Sequence, residues 1–248
     1  MGNKTVTWRI AGGSGDGIDS TSKNFATVLM RMGYHVFTHR HYPSRIRGGH
    51  TFAEIRIGSD SVSSRGDEYD VLLSLGDSFA RNESENAYYG NEEIKPLTEN
   101  LHDLRQGGIL IYDSGVISED ELPDDFDQRV EENNWNVIDL ALKDMAREHG
   151  RSIMRNTAGV GVTTAVMGIG IDGIKNILED SMEGDVLEQN KTVLEKAHEN
   201  GLDHNCSIEM LENNNFEDDQ VLVRGDDAVS YGAVDEGVQF RSGYPMPP

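Results

Sequence analysis

The sequence predicts an α/β protein built on a mostly parallel sheet with helices on both faces. Three observations carry that expectation. The stretch from Trp8 to Gly33 reads as strand, glycine turn and amphipathic helix, the opening unit of such a fold. Val71–Leu75 (VLLSL) and Gly108–Tyr112 (GILIY) are short continuous apolar runs, as expected of central strands buried on both faces. Helical segments separate successive strands, the pattern of a parallel sheet rather than a meander.

In chain order, Val6, Trp8 and Ile10 alternate with Thr7 and Arg9, the period of a strand. Gly12, Gly13, Gly15 and Gly17 follow; without Cβ atoms they allow a sharp turn and close approach of another group. Phe25, Val28, Leu29 and Met32 then recur at helical spacing, and Gly33 is the expected stop. A helix start behind such a turn exposes backbone N–H groups that suit an anion. The pattern is neither the Gly-x-Gly-x-x-Gly of dinucleotide sites nor a Gly-Lys-Ser/Thr phosphate loop. A tight strand-to-helix connection with no ligand accounts for it equally well.

Strands are next expected at His35–Thr38 and Phe52–Ile57, around a polar segment that concentrates Arg40, Arg45 and Arg47. A helix is expected over Glu92–Arg105 with a restart at Pro96, and an alternating strand at Trp135–Leu140. Ile153–Ile169, rich in Ala, Gly, Val and Thr, suits a closely packed helix, and Asp172–Met182 and Asp185–Glu199 read as two more. Residues 201–219 read as a linker. The tail from 220 to 248 reads as strand (VLVR), helix and strand (VQFRSG), too little to bury a core by itself.

Composition narrows the function. With 44 acidic against 22 basic residues, the 248-residue chain has a formal net charge of −22, distributed along its whole length. Such a surface suits high salt, where self-repulsion is screened. It argues against nucleic acid or an anionic membrane as partner, since both carry charge of the same sign. Cys206 is the only cysteine, so an internal disulfide and a four-cysteine iron–sulfur cluster are both beyond this chain alone. Neither a membrane-length apolar run nor a signal-peptide apolar region is present, and a cytoplasmic protein is expected.

The loop Arg45-Ile46-Arg47-Gly48-Gly49 is the most suggestive local chemistry. Two arginines around a glycine pair suit a phosphate or carboxylate, or a neighbouring subunit. His35, His39, His41 and His50 lack the spacing of a zinc finger or a His-Glu-x-x-His helix. No Gly-x-Ser-x-Gly elbow occurs, and no pair of carboxylates singles itself out as acid and base.

Several stretches together resemble the 2-oxoacid:ferredoxin oxidoreductase family, and more narrowly its gamma domain fused ahead of the alpha domain in one large subunit. They are IAGGSGDG (10–17), HYPSRIRGGHTFAEIRI (41–57), VLLSLGD (71–77), the strand at 107–113 and RNTAGVG (155–161). The tail VLVRGDDAVSYGAVDEGVQFRSGYPM (221–246) is similar to the start of the family's alpha domain.

The resemblance implies a Rossmann-like gamma domain over 1–200, a linker over 201–219, and the truncated start of an α/β thiamine-diphosphate-type alpha domain over 220–248. It implies CoA-dependent oxidative decarboxylation of a 2-oxoacid, such as pyruvate or 2-oxoglutarate, to an acyl-CoA with reduction of ferredoxin. Thiamine diphosphate with Mg would sit at an alpha–beta junction, and a 4Fe–4S cluster in the beta subunit partner. Gly12, Gly13, Gly15, Gly17, Arg45, Arg47, Gly48 and Gly49 would lie on the coenzyme A side, and Tyr244 and Pro245 in the alpha-domain motif. That motif carries Pro247 where the family has a threonine expected to hydrogen-bond the substrate carboxylate, and proline has no side-chain donor. The isolated chain is therefore expected to be catalytically silent. The competing reading is a stand-alone α/β domain that binds an acyl-CoA or a protein partner.

Overall fold

A computed structural model describes residues 5–41, 50–76, 96–214, 216, 220–240 and 242. The chain forms two compact units, Met1–Asn215 and Phe216–Pro248. In the first, six strands make one sheet: β1 (Thr5–Gly13), β2 (His35–His41), β3 (His50–Gly58), β4 (Tyr69–Ser74), β5 (Leu104–Asp113) and β6 (Asn136–Leu140), in the order β2-β3-β1-β4-β5-β6. β1 pairs in parallel with β4, β4 with β5, and β5 with β6. β3 runs antiparallel to both β1 and β2, so it alone opposes the common direction. The order reverses at β1, whose two neighbours are reached by connections leaving in opposite directions.

The helices are α1 (Ile18–Arg31), α2 (Pro96–Leu101), α3 (Phe126–Asn133), α4 (Leu142–His149), α5 (Arg155–Val166), α6 (Asp172–Ser181) and α7 (Gly184–Leu202). On one face of the sheet Trp8 meets Phe25 of α1 edge-on at 4.8 Å and donates through Nε1 to Thr163 of α5 at 3.3 Å. On the other, Leu97 and Leu101 of α2 and Phe126 of α3 join Tyr69, Leu72, Leu110 and Tyr112 in one apolar cluster. α5 is buried almost all round, as its small residues predict. A Cβ on Gly161 would stand 2.7 Å from the Leu194 carbonyl oxygen of α7, so the two helices touch backbone to backbone.

The sequence expectations need correction in three places. α3 and α4 are eight-residue, mostly polar helices that the sequence expectations do not include. The helix expected to reach Arg105 is Pro96–Leu101 within the described residues, because Leu104 has already joined the sheet opposite Tyr69. VLVR and VQFRSG form no strand among the described residues, among which the second unit has one helix, α8 (Gly225–Asp235). Beyond these corrections, the polar residues of β1 are also buried: Thr7 and Arg9 are 3% and 4% exposed, and Arg9 reaches Asn100 of α2.

Arg9 is held by chemistry that alternation cannot express. Its guanidinium lies between the rings of Phe52 and Tyr69, 4.2 and 4.1 Å from their centroids. It donates to Glu54 Oε1 through Nε at 2.9 Å and, more closely, through Nη2, and to Asn100 Oδ1 at 2.9 Å. With its oxygen so used, Asn100 turns its amide nitrogen to His50 Nε2 at 2.8 Å, which fixes that ring neutral with the proton on Nδ1. Burial, reinforced by the nearby His41 ring, lowers His50 to about 4.

After α7 the chain returns along the first unit. Ile208 N donates to the Val166 carbonyl at 2.8 Å, Tyr34 Oη to Leu211 O at 3.0 Å, and Ser59 Oγ to Glu212 O at 2.7 Å. Asn213 Nδ2 donates to Met32 O and Asn214 N to Gly33 O, each at 2.9 Å. Residues 208–214, expected within a linker, are thus bonded to the end of α5 and to residues flanking β2 and β3. Gly33, at φ 96°, makes this possible: a Cβ there would stand 1.9 Å from Asn214 O.

Two measurements follow from these contacts. Gly33→Ala should displace the returning segment, speed limited proteolysis within 203–214, and cost about 2 kcal/mol or more by urea unfolding. An unchanged cleavage pattern would show the segment held elsewhere. For His50, the folded state binds its proton later than the unfolded chain, whose ring titrates near 6.5. Its contribution is whole above that pH and falls as pH drops toward about 4, by on the order of 3 kcal/mol. The stability gap between the wild type and His50→Gln should narrow over that window; a constant gap would contradict the assignment.

Candidate functional site

The sheet's carboxyl ends at β1 and β4 form its topological switch point, the place where open α/β sheets bind ligands. β1 ends at Gly13, and the turn to α1 is closed by Asp16 N donating to Gly13 O at 3.1 Å. Gly15 and Gly17 have φ of 95° and 80°, conformations that side chains disfavour. Gly17 caps α1 with its carbonyl, which accepts from Thr21 N at 3.0 Å.

One arginine ties this turn to the rest of the sheet. Arg155, the first residue of α5, pairs through Nη2 with Asp16 Oδ2 at 2.6 Å, and the two side chains are 5% and 8% exposed. Its Nη1 donates to the Leu75 carbonyl just past β4 at 3.0 Å, and lies 3.9 Å from Asp113 Oδ2 at the end of β5. The next residue, Asn156, donates through Nδ2 to Asp16 O at 2.7 Å and to Thr21 Oγ1 at 3.1 Å. Asp113, fully buried, accepts from the backbone N–H groups of Gly115 and Lys143 at 3.1 and 3.3 Å. Burial nevertheless raises its carboxyl above the usual range, since those donors and Arg155 offset desolvation only in part.

Beside this lock is a cavity of about 720 Å³. Gly15, Gly17, Ser20 and Thr21 form one rim, Lys143, Arg151 and Ser152 another, and Phe25, Val160, Ile174, Ile177 and Leu178 part of its apolar wall. Gly12 and Gly13 are buried within the end of β1, so of the four turn glycines only Gly15 and Gly17 reach the cavity. Arg45, Arg47, Gly48, Gly49, Tyr244 and Pro245 lie outside the described residues. Among the described residues no group of three or more His, Cys, Asp or Glu could hold a metal ion, and no helix is long and apolar enough to cross a membrane.

Residues 7–200 match the family model described as pyruvate ferredoxin/flavodoxin oxidoreductase. The chain belongs to this family. Among its relatives, the 2-oxoacid:ferredoxin oxidoreductase subunit alpha of Sulfolobus sp is 22% identical over 98% of the chain and 40% of its own length. The ketoisovalerate oxidoreductase subunit VorA of Methanothermobacter marburgensis is 27% identical over 69% of the chain and 30% of its own length. The chain thus spans about 40% of the alpha subunits that it matches along its whole length. Among solved structures, the 2-oxoglutarate:ferredoxin oxidoreductase of Magnetococcus marinus, with 2-oxoglutarate, coenzyme A and succinyl-CoA bound, superposes with a TM-score of 0.78. It is 22% identical, over 99% of this chain and 39% of that one. The keto/oxoacid ferredoxin oxidoreductase gamma subunit of Geobacter sulfurreducens superposes with a TM-score of 0.59 at 20% identity, over 81% of this chain and 98% of its own. The family fold is therefore the α/β architecture described above.

Sequence reasoning reached the glycine turn and quoted RNTAGVG, yet gave no role to Asp16, Asp113 or Arg155. A signal was present: Asp16 is the one charge inside a glycine turn, and Arg155 opens the most apolar helix of the chain. Arg155→Met should strand Asp16 in a buried site and cost about 3 kcal/mol or more by chemical denaturation. Adding Asp16→Ala should recover part of that loss, whereas strictly additive costs would show that the pair does not act as a unit.

Proposed function

We propose that the chain is the gamma-domain-bearing part of the large subunit of a 2-oxoacid:ferredoxin oxidoreductase, taking part in CoA-dependent oxidative decarboxylation with ferredoxin as electron acceptor. The observation that carries the reading is the family match over 7–200 together with similarity to alpha subunits along 98% of the chain. Residues 1–200 are read as the gamma domain, supported by the near-complete overlap with a separate gamma subunit. Residues 201–219 are read as the link and 220–248 as the start of an alpha domain.

Coenzyme A is proposed to lie against the Gly12–Gly17 turn and the Arg45–Gly49 loop. The positive φ values at Gly15 and Gly17 and the start of α1 suit a phosphate there. Tyr244 and Pro245 are proposed to approach thiamine diphosphate, which supplies the carbanion chemistry when bound. With one cysteine, the chain cannot furnish the four thiolates of a 4Fe–4S cluster, so the cluster and its electrons are assigned to a beta subunit partner. The excess of carboxylates supports a protein of a saline cytoplasm.

Purified alone, the chain should not reduce viologen with pyruvate or 2-oxoglutarate; turnover by the chain alone would overturn that part of the reading. In the assembled enzyme, Arg45→Ala with Arg47→Ala should raise the KM for coenzyme A by about tenfold or more while sparing the KM for the 2-oxoacid. An unchanged coenzyme KM removes the loop assignment. Failure to form any complex with a beta subunit would favour a stand-alone binding domain.

A further inference from the structure

Three large apolar side chains are exposed among the described residues of the first unit, Ile153, Met182 and Leu202, and two of them line the same cavity. Ile153 stands on the connection between α4 and α5, and Met182 on that between α6 and α7. Both are held in place. Ile153 is the middle residue of a single helical turn, Ser152–Met154, closed by Met154 N donating to Arg151 O at 2.8 Å and rooted by the buried Met154 side chain. Its own side chain is left 80% exposed. Met182 Sδ accepts from Nδ2 of the buried Asn190 at 3.4 Å, and Asn190 Oδ1 accepts in turn from Thr157 Oγ1 at 2.9 Å. Apolar groups ordered in this way lose little further freedom on association. Behind them the cavity wall is aliphatic, with Ile174, Ile177, Leu178 and Val186.

The two connections also carry opposite charge. Arg151 is exposed and makes no ion pair among the described residues. Glu183 and Asp185, on either side of Gly184 at the start of α7, are exposed and make none either. The mouth of the cavity thus holds its own complement: an apolar knob beside a cation on one connection, and an apolar rim beside two carboxylates on the other. A two-fold contact, in which residue i meets j while j meets i, requires a surface that carries both halves of the match. A net charge of −22 would make two copies repel over most of their surface, so an unpaired arginine beside an apolar opening marks where they attract.

We infer that two copies of the chain associate about a two-fold axis at this mouth, Ile153 of each copy entering the cavity of the other beside Met182, and Arg151 of each meeting Glu183 and Asp185 of the other. The contact uses neither the Gly15–Gly17 turn nor the start of α1, and it goes beyond the coenzyme reading without depending on it.

Sedimentation velocity of the full chain over a wide concentration series tests the inference, with dimer expected at the upper end. Ile153→Asp should weaken association tenfold or more, and Arg151→Glu should do likewise. Both change exposed side chains, so the melting temperature of the dilute, monomeric chain should stay the same. Adding Glu183→Lys and Asp185→Lys to Arg151→Glu should restore association, because the charges are then exchanged rather than removed. On a Cys206→Ser background, a mixture of Ile153→Cys and Met182→Cys chains should form a mixed disulfide under mild oxidation, in higher yield than either variant alone. A chain that stays monomeric, association indifferent to Ile153→Asp or Arg151→Glu, failure of the charge exchange to recover it, or absence of the mixed disulfide would each overturn the inference. Association that survives Ile153→Asp and is lost with Phe240→Ser would assign it to the second unit instead, and would overturn the inference as well.

Discussion

A single guanidinium holds the functional end of the sheet together. Arg155 reaches Asp16 in the turn after β1 and the Leu75 carbonyl after β4, and lies beside Asp113 at the end of β5. Without it the buried Asp16 carboxylate and the Leu75 carbonyl would lose a donor at the switch point. A buried charge pair contributes little net stability compared with apolar packing, and a large penalty when broken. Its value here is geometric: one planar fork fixes the distances among three loops, which no apolar side chain of that size does. The glycine turn has its shape because Asp16 is drawn inward, and α5 begins where it does because its first residue is the anchor.

The fold was legible where burial is expressed as periodicity. β1, α1, β4, β5 and α6 were all readable from apolar spacing. α3 and α4 were not, because each is eight residues long and bears only two or three apolar side chains, Phe126 and Val130 in one and Leu142, Met145 and Ala146 in the other. The site was legible in its glycines, since Gly15 and Gly17 announce backbone that other residues avoid. Its charges were not. Whether Asp16 in an acidic chain faces water or a guanidinium 139 positions away depends on tertiary contact, which local spacing does not encode. Arg9 makes the same point: the alternation identifies it as part of a strand, while its contacts with Glu54 and Asn100 depend on residues 45 and 91 positions away.

Arg9 and Arg155 also separate two electrostatic regimes. The surface is dominated by carboxylates, screened or not according to the salt around them. Inside, the two arginines are each satisfied by a buried acidic partner, Glu54 and Asp16, at 3% exposure for the first residue and 8% for the second side chain. Interior pairs of this kind are little affected by ionic strength. Salt therefore acts on the solvation and repulsion of the shell while leaving the internal framework in register.

The long reach of α5 bears on the order in which the molecule is built. Trp8 meets Thr163 across 155 positions, and Asp16 meets Arg155 across 139. β1 and α1 are synthesised well before α5, yet the cover over that face of β1 is incomplete until α5 arrives. Such non-local closure makes folding slow, and it leaves the apolar edges of β1 and β4 exposed on the nascent chain in the meantime. The helix that anchors the finished turn is thus also the one whose arrival lets the unit close.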